Sequence, residues 1–261
     1  MTNSTGSIAF DRAAGFYDRT RALTPADAAA LTEALIRETG ATAASCILEI
    51  GIGTGRISGP LLQRGLHVTG IDLARPMLDV LRQNYGPVPV VIGDAADLPF
   101  ADRTADVVLA FHVLHLTPAW PAVLREVARV VCPGGCFVHS THWRDPNSAN
   151  MRLRQKWRQM ILTRGVDVSR PGTRDEDQIA AVLAETGAHG RRVQVVQGMQ
   201  TTSARAVLDR MAARIWSDTW LAPDELFPSA FAELTAWATQ EFDLDAVQAE
   251  AYRLGFVLYR W

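Results

Sequence analysis

Along this 261-residue chain, short apolar runs alternate with longer stretches in which apolar residues recur every three or four positions. A short run of this kind reads as a buried strand, and the longer pattern reads as an amphipathic helix. An alanine-rich stretch comes first. Thr24-Pro25 supplies an N-cap and a first helical residue, and Gly40 supplies a stop, which predicts a helix over 25–39. Strands are then predicted over 46–50, 67–72, 88–93, 106–111 and 136–142, and helices over 54–64, 76–84 and 118–131. Apolar strands alternating with helices imply an α/β fold, a mostly parallel sheet with helices on both faces. Pro60 breaks the local pattern, because proline inside a helix removes a backbone hydrogen bond.

The second half changes character. Helices are predicted over 147–163, 175–186, 203–216 and 228–242, and strands over 192–196 and 255–259, which makes a seven-stranded sheet. Between those last two strands the chain is helical and aromatic-rich, with Trp216, Trp220, Phe227, Phe231 and Trp237. That stretch is too long for an ordinary connection. With part of 145–174 it reads as a helical cap over the carboxyl edge of the sheet, where open α/β sheets bind ligands. The predicted division is a core over 1–145, cap insertions over 146–174 and 200–250, and the rest of the core sheet over 175–199 and 251–261. The aromatic residues of the cap read as core rather than as a substrate cage.

Composition narrows the picture. A 48% hydrophobic content supports a sizeable core and argues against disorder. The formal net charge of −2 gives no electrostatic reason to expect nucleic acid. The basic segment Arg152-Leu-Arg-Gln-Lys-Trp-Arg158 reads as the solvated face of a helix, with Leu153 and Trp157 inward. Cys132 and Cys136 flank Pro133-Gly134-Gly135 with no second Cys or His pair, so they read as buried thiols beside a turn and not as a metal site. Few cysteines fit a reducing compartment. Residues 1–7 are polar, and no run approaches the ~18 apolar residues of a membrane span, so a cytoplasmic protein with no signal peptide is expected.

The candidate chemistry begins at Ile47-Leu-Glu-Ile-Gly-Ile-Gly-Thr-Gly-Arg56. Gly51, Gly53 and Gly55 follow a strand and open a helix, which lets backbone turn sharply and approach a ligand near unpaired N–H groups. A dinucleotide fingerprint would place a third glycine at position 56, which is Arg56. The spacing found here, behind the acidic Glu49, suits an aminoacyl-sulfonium ligand better than a pyrophosphate. Asp72 ends the second strand, where a carboxylate can accept both ribose hydroxyls; nicotinamide enzymes place one similarly. Asp94-Ala95 ends the third, where an acceptor beside a small residue can take an adenine amino group.

Together these pieces resemble the class I S-adenosyl-L-methionine (SAM)-dependent methyltransferases, in the subgroup that includes ubiquinone and menaquinone biosynthesis enzymes. The resemblance rests on Phe10–Asp18, Ile47–Arg56, Gly70-Ile-Asp72 with Met77-Leu78, Gly93–Phe100, Ala105–Leu116 and Glu126–Gly135, and it covers roughly residues 8–142. It implies a Rossmann-like fold, SAM as methyl donor with S-adenosyl-L-homocysteine as product, and a small-molecule acceptor with an O, N or C nucleophile. It further implies that Gly51, Gly53 and Gly55 line the methionine portion, with Glu49 supporting the loop or the ligand's amino group. Asp72 would hold the ribose, Leu73 and Met77 would lie against the adenine, and Asp94 and Ala95 would read its edge. Phe111 would offer its carbonyl to the amino group, and Tyr17 would close over the carboxylate. Ala74 stands where the family often has serine, and Cys132 where lysine is common.

Methyl transfer from a sulfonium needs positioning above all, and a general base only where the nucleophile carries a proton. His112 and His142 are the candidate bases, at the ends of the fourth and fifth strands. His115 is a weaker candidate, His139 is expected within the sheet, and His67 and His189 at the surface. Two other functions fit parts of the pattern: a non-catalytic SAM-binding protein, and a nicotinamide-dependent oxidoreductase.

Overall fold

The computed structural model describes residues 6–8, 10–21 and 23–261; the polar opening at 1–5 lies outside them. Among the described residues, ten α-helices and seven strands follow in order: α1 Tyr17–Arg21, α2 Pro25–Thr39, β1 Ile47–Ile50, α3 Ser58–Gln63, β2 Val68–Asp72, α4 Arg75–Tyr85, β3 Val90–Ile92, β4 Ala105–Ala110, α5 Trp120–Val130, β5 Val131–Arg144, α6 Ala149–Leu162, α7 Glu176–Ala184, β6 His189–Thr202, α8 Ala204–Ala212, α9 Ser217–Trp220, α10 Phe227–Glu241 and β7 Gln248–Arg260. The strands form one seven-stranded, mostly parallel sheet in the order β3-β2-β1-β4-β5-β7-β6. The pairs joining β3, β2, β1, β4 and β5 are parallel.

The chain divides into two compact units. The first comprises Met1–Thr141, Pro171–Val196 and Leu254–Trp261, and the second His142–Arg170 and Gln197–Arg253. In the first, β1 is buried along its whole length, as a central strand covered on both faces must be. Alternate side chains feed two cores. Ile47, Val107, Leu109 and Val138 pack with Leu31 and Leu35 of α2, Leu61 of α3 and Leu81 of α4. Leu48, Ile50, Val108 and Phe137 pack with Val123, Leu124 and Val127 of α5 and Ile179 and Leu183 of α7. The second unit buries Leu153 and Trp157 of α6, Val207 and Met211 of α8, and Ala230 and Leu234 of α10.

Helix α2 matches its predicted bounds, with the Thr24 side chain accepting from Asp27 N–H and Gly40 closing it at φ +72°. Helix α3 starts four residues later than predicted, because Gly55 holds a left-handed turn at φ +84°. Pro60 is therefore its third residue, where a helical N–H has no partner to lose. Strands β5, β6 and β7 run 14, 14 and 13 residues, far beyond their apolar cores. Their extensions are polar (His142 and Arg144, Gln197 and Gln200, Gln248 and Glu250), so no apolar run announces them. Pairing of β4 with β5 slips between Ala105↔Val131 and Val107↔Cys136, which places Pro133-Gly134-Gly135 in a bulge. Of the two thiols beside it, Cys136 is buried as expected. Cys132 is half-buried, its thiol donating to the Arg103 carbonyl at 3.0 Å.

Candidate cofactor and active site

The carboxyl ends of β1, β2 and β3 carry the three predicted acids. Glu49 is the third residue of β1 and 2% exposed. Its Oε2 accepts the Ser58 hydroxyl at the start of α3, and burial pushes its carboxyl up to about 8, against the Ser58 bond and the charge of Arg56. Asp72 closes β2. Its Oδ2 accepts Gly53 N–H at 2.9 Å and its Oδ1 accepts Ala74 N–H at 2.8 Å. One side chain thus fixes the glycine loop and opens α4, the task a serine at position 74 would otherwise share. Burial raises the Asp72 carboxyl, and these N–H groups oppose that shift. Each oxygen keeps a second lone pair for a ligand hydroxyl.

Asp94 follows β3. Its Oδ1 accepts Ala96 N–H at 3.0 Å, whereas its Oδ2 is buried and has no hydrogen-bond partner among the described residues. A buried acceptor left open is costly unless a ligand or water donates to it. No salt bridge reaches Glu49, Asp72 or Asp94 among the described residues, so hydroxyl and backbone donors hold one buried and two half-buried acids.

The glycine loop is shaped by its backbone. Gly51, Gly53 and Gly55 all hold positive φ, at 66°, 56° and 84°. A Cβ on Gly51 would fall within the Val113 side chain, and one on Gly53 would lie 3.3 Å from Met77 Cε, so buried Met77 braces the loop from α4. Leu73 and Ala95 are half-buried beside the two acids. The N-terminal segment is tied to the same loop. Asp18 accepts the Thr54 hydroxyl, Arg56 Nη1 donates to the Arg21 carbonyl at 2.8 Å, and the Arg56 guanidinium lies 5.9 Å from the Tyr17 ring centroid. The missing third glycine of a dinucleotide fingerprint is thus an arginine with a structural task.

Phe111 is buried at the end of β4. His112 follows in left-handed backbone at φ +60°, rare for a residue with a Cβ, and its N–H donates to Ser140 Oγ of β5 at 3.0 Å. His115 is buried, and its Nε2 meets Arg174 Nη2 at 3.1 Å, so this ring is spent on a structural contact. His139 is buried within the sheet, which pushes it down to about 4 and keeps it neutral. His142 lies in the second unit and is exposed, as His67 and His189 are in the first. The first unit therefore gathers Tyr17, Glu49, the three glycines, Asp72, Leu73, Met77, Asp94, Ala95, Phe111 and His112. Ser58 and Ser140 were not foreseen. Ser58 had a readable signal, a hydroxyl at the start of the helix behind Glu49; Ser140 had none.

The residues 48–139 match the model of a methyltransferase domain. The chain is 33% identical over 177 residues to a malonyl-[acyl-carrier protein] O-methyltransferase of Serratia marcescens, covering 68% of this chain and 67% of that protein. It is 39% identical over 98 residues to a fatty-acid O-methyltransferase of Mycolicibacterium smegmatis, covering 36% of each. Among solved structures, the Bacillus halodurans protein BH2331, assigned to the methyltransferases, superposes with a TM-score of 0.60 at 16% identity, covering 88% of this chain and 97% of its own. The fold and these relationships define a class I methyltransferase. The chain belongs to the SAM-dependent methyltransferase family, and its donor is SAM.

Proposed function

We propose that this enzyme binds SAM at the carboxyl ends of β1, β2 and β3 and methylates an oxygen of a small organic acceptor. The observation that carries the reading is the row of carboxyl groups at three successive strand ends, the last of which, Asp94, keeps a buried oxygen without a hydrogen-bond partner among the described residues. SAM offers ribose hydroxyls, an adenine amino group and an ammonium as donors, and carboxyl oxygens in this row can accept them. When bound, SAM supplies a methyl group already activated for displacement, which leaves the protein the work of binding and orienting. Asp72 offers its remaining lone pairs to the ribose hydroxyls, with Leu73 and Met77 beside the adenine. Asp94 Oδ2 fits an adenine amino group, the donor it lacks. Gly51, Gly53 and Gly55 with Glu49 and the Phe111 carbonyl serve the amino-acid portion, and Tyr17 covers it. His112, locked in place by Ser140, is the candidate base for an acceptor that carries a proton; His142 is the second.

The two relatives above are named as O-methyltransferases, which favours oxygen as the methylated atom. The helical second unit is the part we assign to acceptor choice. The arginines of α6 are bonded within the protein, which supports a small-molecule acceptor over nucleic acid. Among the described residues no helix is long and apolar enough to cross a membrane, and three free thiols fit a reducing cytoplasm. Calorimetric titration of the purified chain with S-adenosylhomocysteine tests the reading. Wild type is expected to bind in the micromolar range and Asp72→Ala to lose at least 100-fold. Absence of wild-type binding overturns the proposal.

A further inference from the structure

The chain leaves β4 at Phe111 and passes through His112, in left-handed backbone, into a single helical turn, Leu114–Leu116. A residue with a Cβ holds that conformation only where its flanks are fixed. Upstream, Ala110 is paired with His139 of β5, and His112 N–H donates to Ser140 Oγ. Downstream, two segments remote in sequence close on the turn. From the amino-terminal segment, Ile8 N–H donates to the Leu116 carbonyl at 2.9 Å, and the buried Ser7 hydroxyl donates to Thr117 Oγ1 at 2.9 Å. From the segment before α7, Gly172 N–H donates to the His115 carbonyl at 3.2 Å, and Arg174 Nη2 meets His115 Nε2 at 3.1 Å.

At Gly172 the approach leaves no room for a side chain. A Cβ there would lie 2.0 Å from the Leu114 carbonyl oxygen and 2.5 Å from that of Thr117. The backbone of Gly172 therefore rests directly on the turn and sets Arg174, two residues on, beside His115. A guanidinium only donates, so His115 Nε2 accepts, and the ring is neutral with its proton on Nδ1. The same loop also touches the glycine loop. Val113 Cγ2 lies 2.3 Å from where a Cβ on Gly51 would stand, so the two backbones are packed through that one side chain. All of these residues belong to the first unit.

We propose that Arg174 is a positioning residue for the methyl-donor site. Its bond to His115 holds the loop of Phe111, His112 and Val113 against the glycine loop, and Gly172 sets the approach that makes the bond. This rests on the function proposed above, which places SAM at Gly51 and the Phe111 carbonyl. His115 is then the link between Arg174 and the loop, and not a base. Removing the Arg174 side chain leaves the contacts of Ser7, Ile8 and Gly172 in place and, because Arg174 is exposed, opens no buried cavity. The turn persists, while the strained backbone at His112 loses part of what fixes it.

The test is calorimetric titration of the full chain with S-adenosylhomocysteine, at a temperature where every variant is folded. Arg174→Ala is expected to bind about fivefold more weakly than wild type, the size of one coupled contact. Arg174→Lys, which keeps a donor, is expected to recover most of that loss. His115→Phe keeps a ring and removes the acceptor. It is expected to weaken binding to a similar extent, with the double variant no weaker than His115→Phe alone. A purely structural Arg174 would lower the melting temperature and leave affinity unchanged, and that result overturns the proposal. Additive losses in the double variant overturn it too, as does a lysine variant as weak as the alanine one. Where His115→Phe does not fold, the comparison of alanine with lysine at position 174 decides. Absence of wild-type binding overturns the function reading and this inference with it, whereas wild-type binding that Arg174→Ala leaves unchanged overturns this inference alone.

Discussion

In the first unit Glu49, Asp72 and Asp94 are held by a serine hydroxyl and by backbone N–H groups, whereas in the second Asp218 is held by guanidinium groups. The difference is one of charge. Backbone and hydroxyl donors orient a carboxyl without supplying a counter-charge, so burial raises Glu49 to about 8 and raises Asp72 as well. Arginines supply that counter-charge to Asp218, so it is held below its ordinary value although it is buried. The first unit thus raises its strand-end acids and the second lowers its buried one, through side chains that the sheet and the helices place independently.

The largest effect expected from breaking this contrast is at Asp218. Removing its carboxylate leaves Arg154 and Arg158, which share its Oδ2, facing one another without an anion. Loss of one partner from a buried ion pair costs about 3–5 kcal/mol. Asp218→Ala is therefore expected to unfold at markedly lower denaturant than wild type, while a surface counterpart such as Asp245→Ala leaves the midpoint nearly unchanged. Equal midpoints for the two variants in urea would show that the arginine cluster does not depend on Asp218.

A smaller effect separates the units by pH. Burial raises the Glu49 carboxyl to about 8 from an ordinary 4.5, so the folded protein holds that proton more tightly than the unfolded chain. Its contribution is fully present below about 4.5 and is lost as pH rises toward 8, by at most about 1.4 kcal/mol per pH unit. Asp218 works in the other direction. Burial raises it, but Arg154, Arg170 and Arg158 outweigh burial and hold it below its ordinary 3.8. Its contribution is present above 3.8 and is lost as pH falls through the lowered value. Glu49→Gln keeps a polar partner for Ser58 and removes the titration. Its stability relative to wild type is expected to rise between pH 5 and pH 8; parallel curves over that window would mean Glu49 ionises at its ordinary value.

How much was readable from sequence differs between the units for the same physical reason. Alternating apolar strands and helices, the Thr24 and Gly40 signals, and the acids at positions 49, 72 and 94 made most of the first unit legible. Local rules govern those features: capping, the pleat of a buried strand, and glycine at positive φ. The long outer halves of β5, β6 and β7 were not legible, since polar side chains hide a strand from any hydrophobic pattern. Nor was the role of the α6 arginines. A solvated face was expected, and Leu153 and Trp157 do point inward, but Arg154 and Arg158 turn to Asp218, 64 and 60 residues away in sequence. Lys156 lies 5.4 Å from the Trp237 ring centroid, again a partner that spacing does not reveal. Ser140 beneath His112 belongs to the same group of contacts made by chain crossing.

The smallest effect expected on stability is also the most selective on binding. Asp94 gives its Oδ1 to Ala96 N–H and leaves Oδ2 open. An asparagine placed there keeps its carbonyl oxygen on Ala96, which turns its NH2 group toward the open side. The side chain then presents a donor where the adenine amino group also presents one. No internal bond is lost, so Asp94→Asn is expected to melt within a degree or two of wild type. S-adenosylhomocysteine affinity is expected to fall about tenfold, the roughly 1.4 kcal/mol of one mispaired polar contact. An adenosine analogue with its amino group replaced by a carbonyl is expected to lose less affinity for Asp94→Asn than for wild type, because it presents the acceptor that the new donor lacks. Equal losses for both proteins would place the adenine edge on some residue other than Asp94.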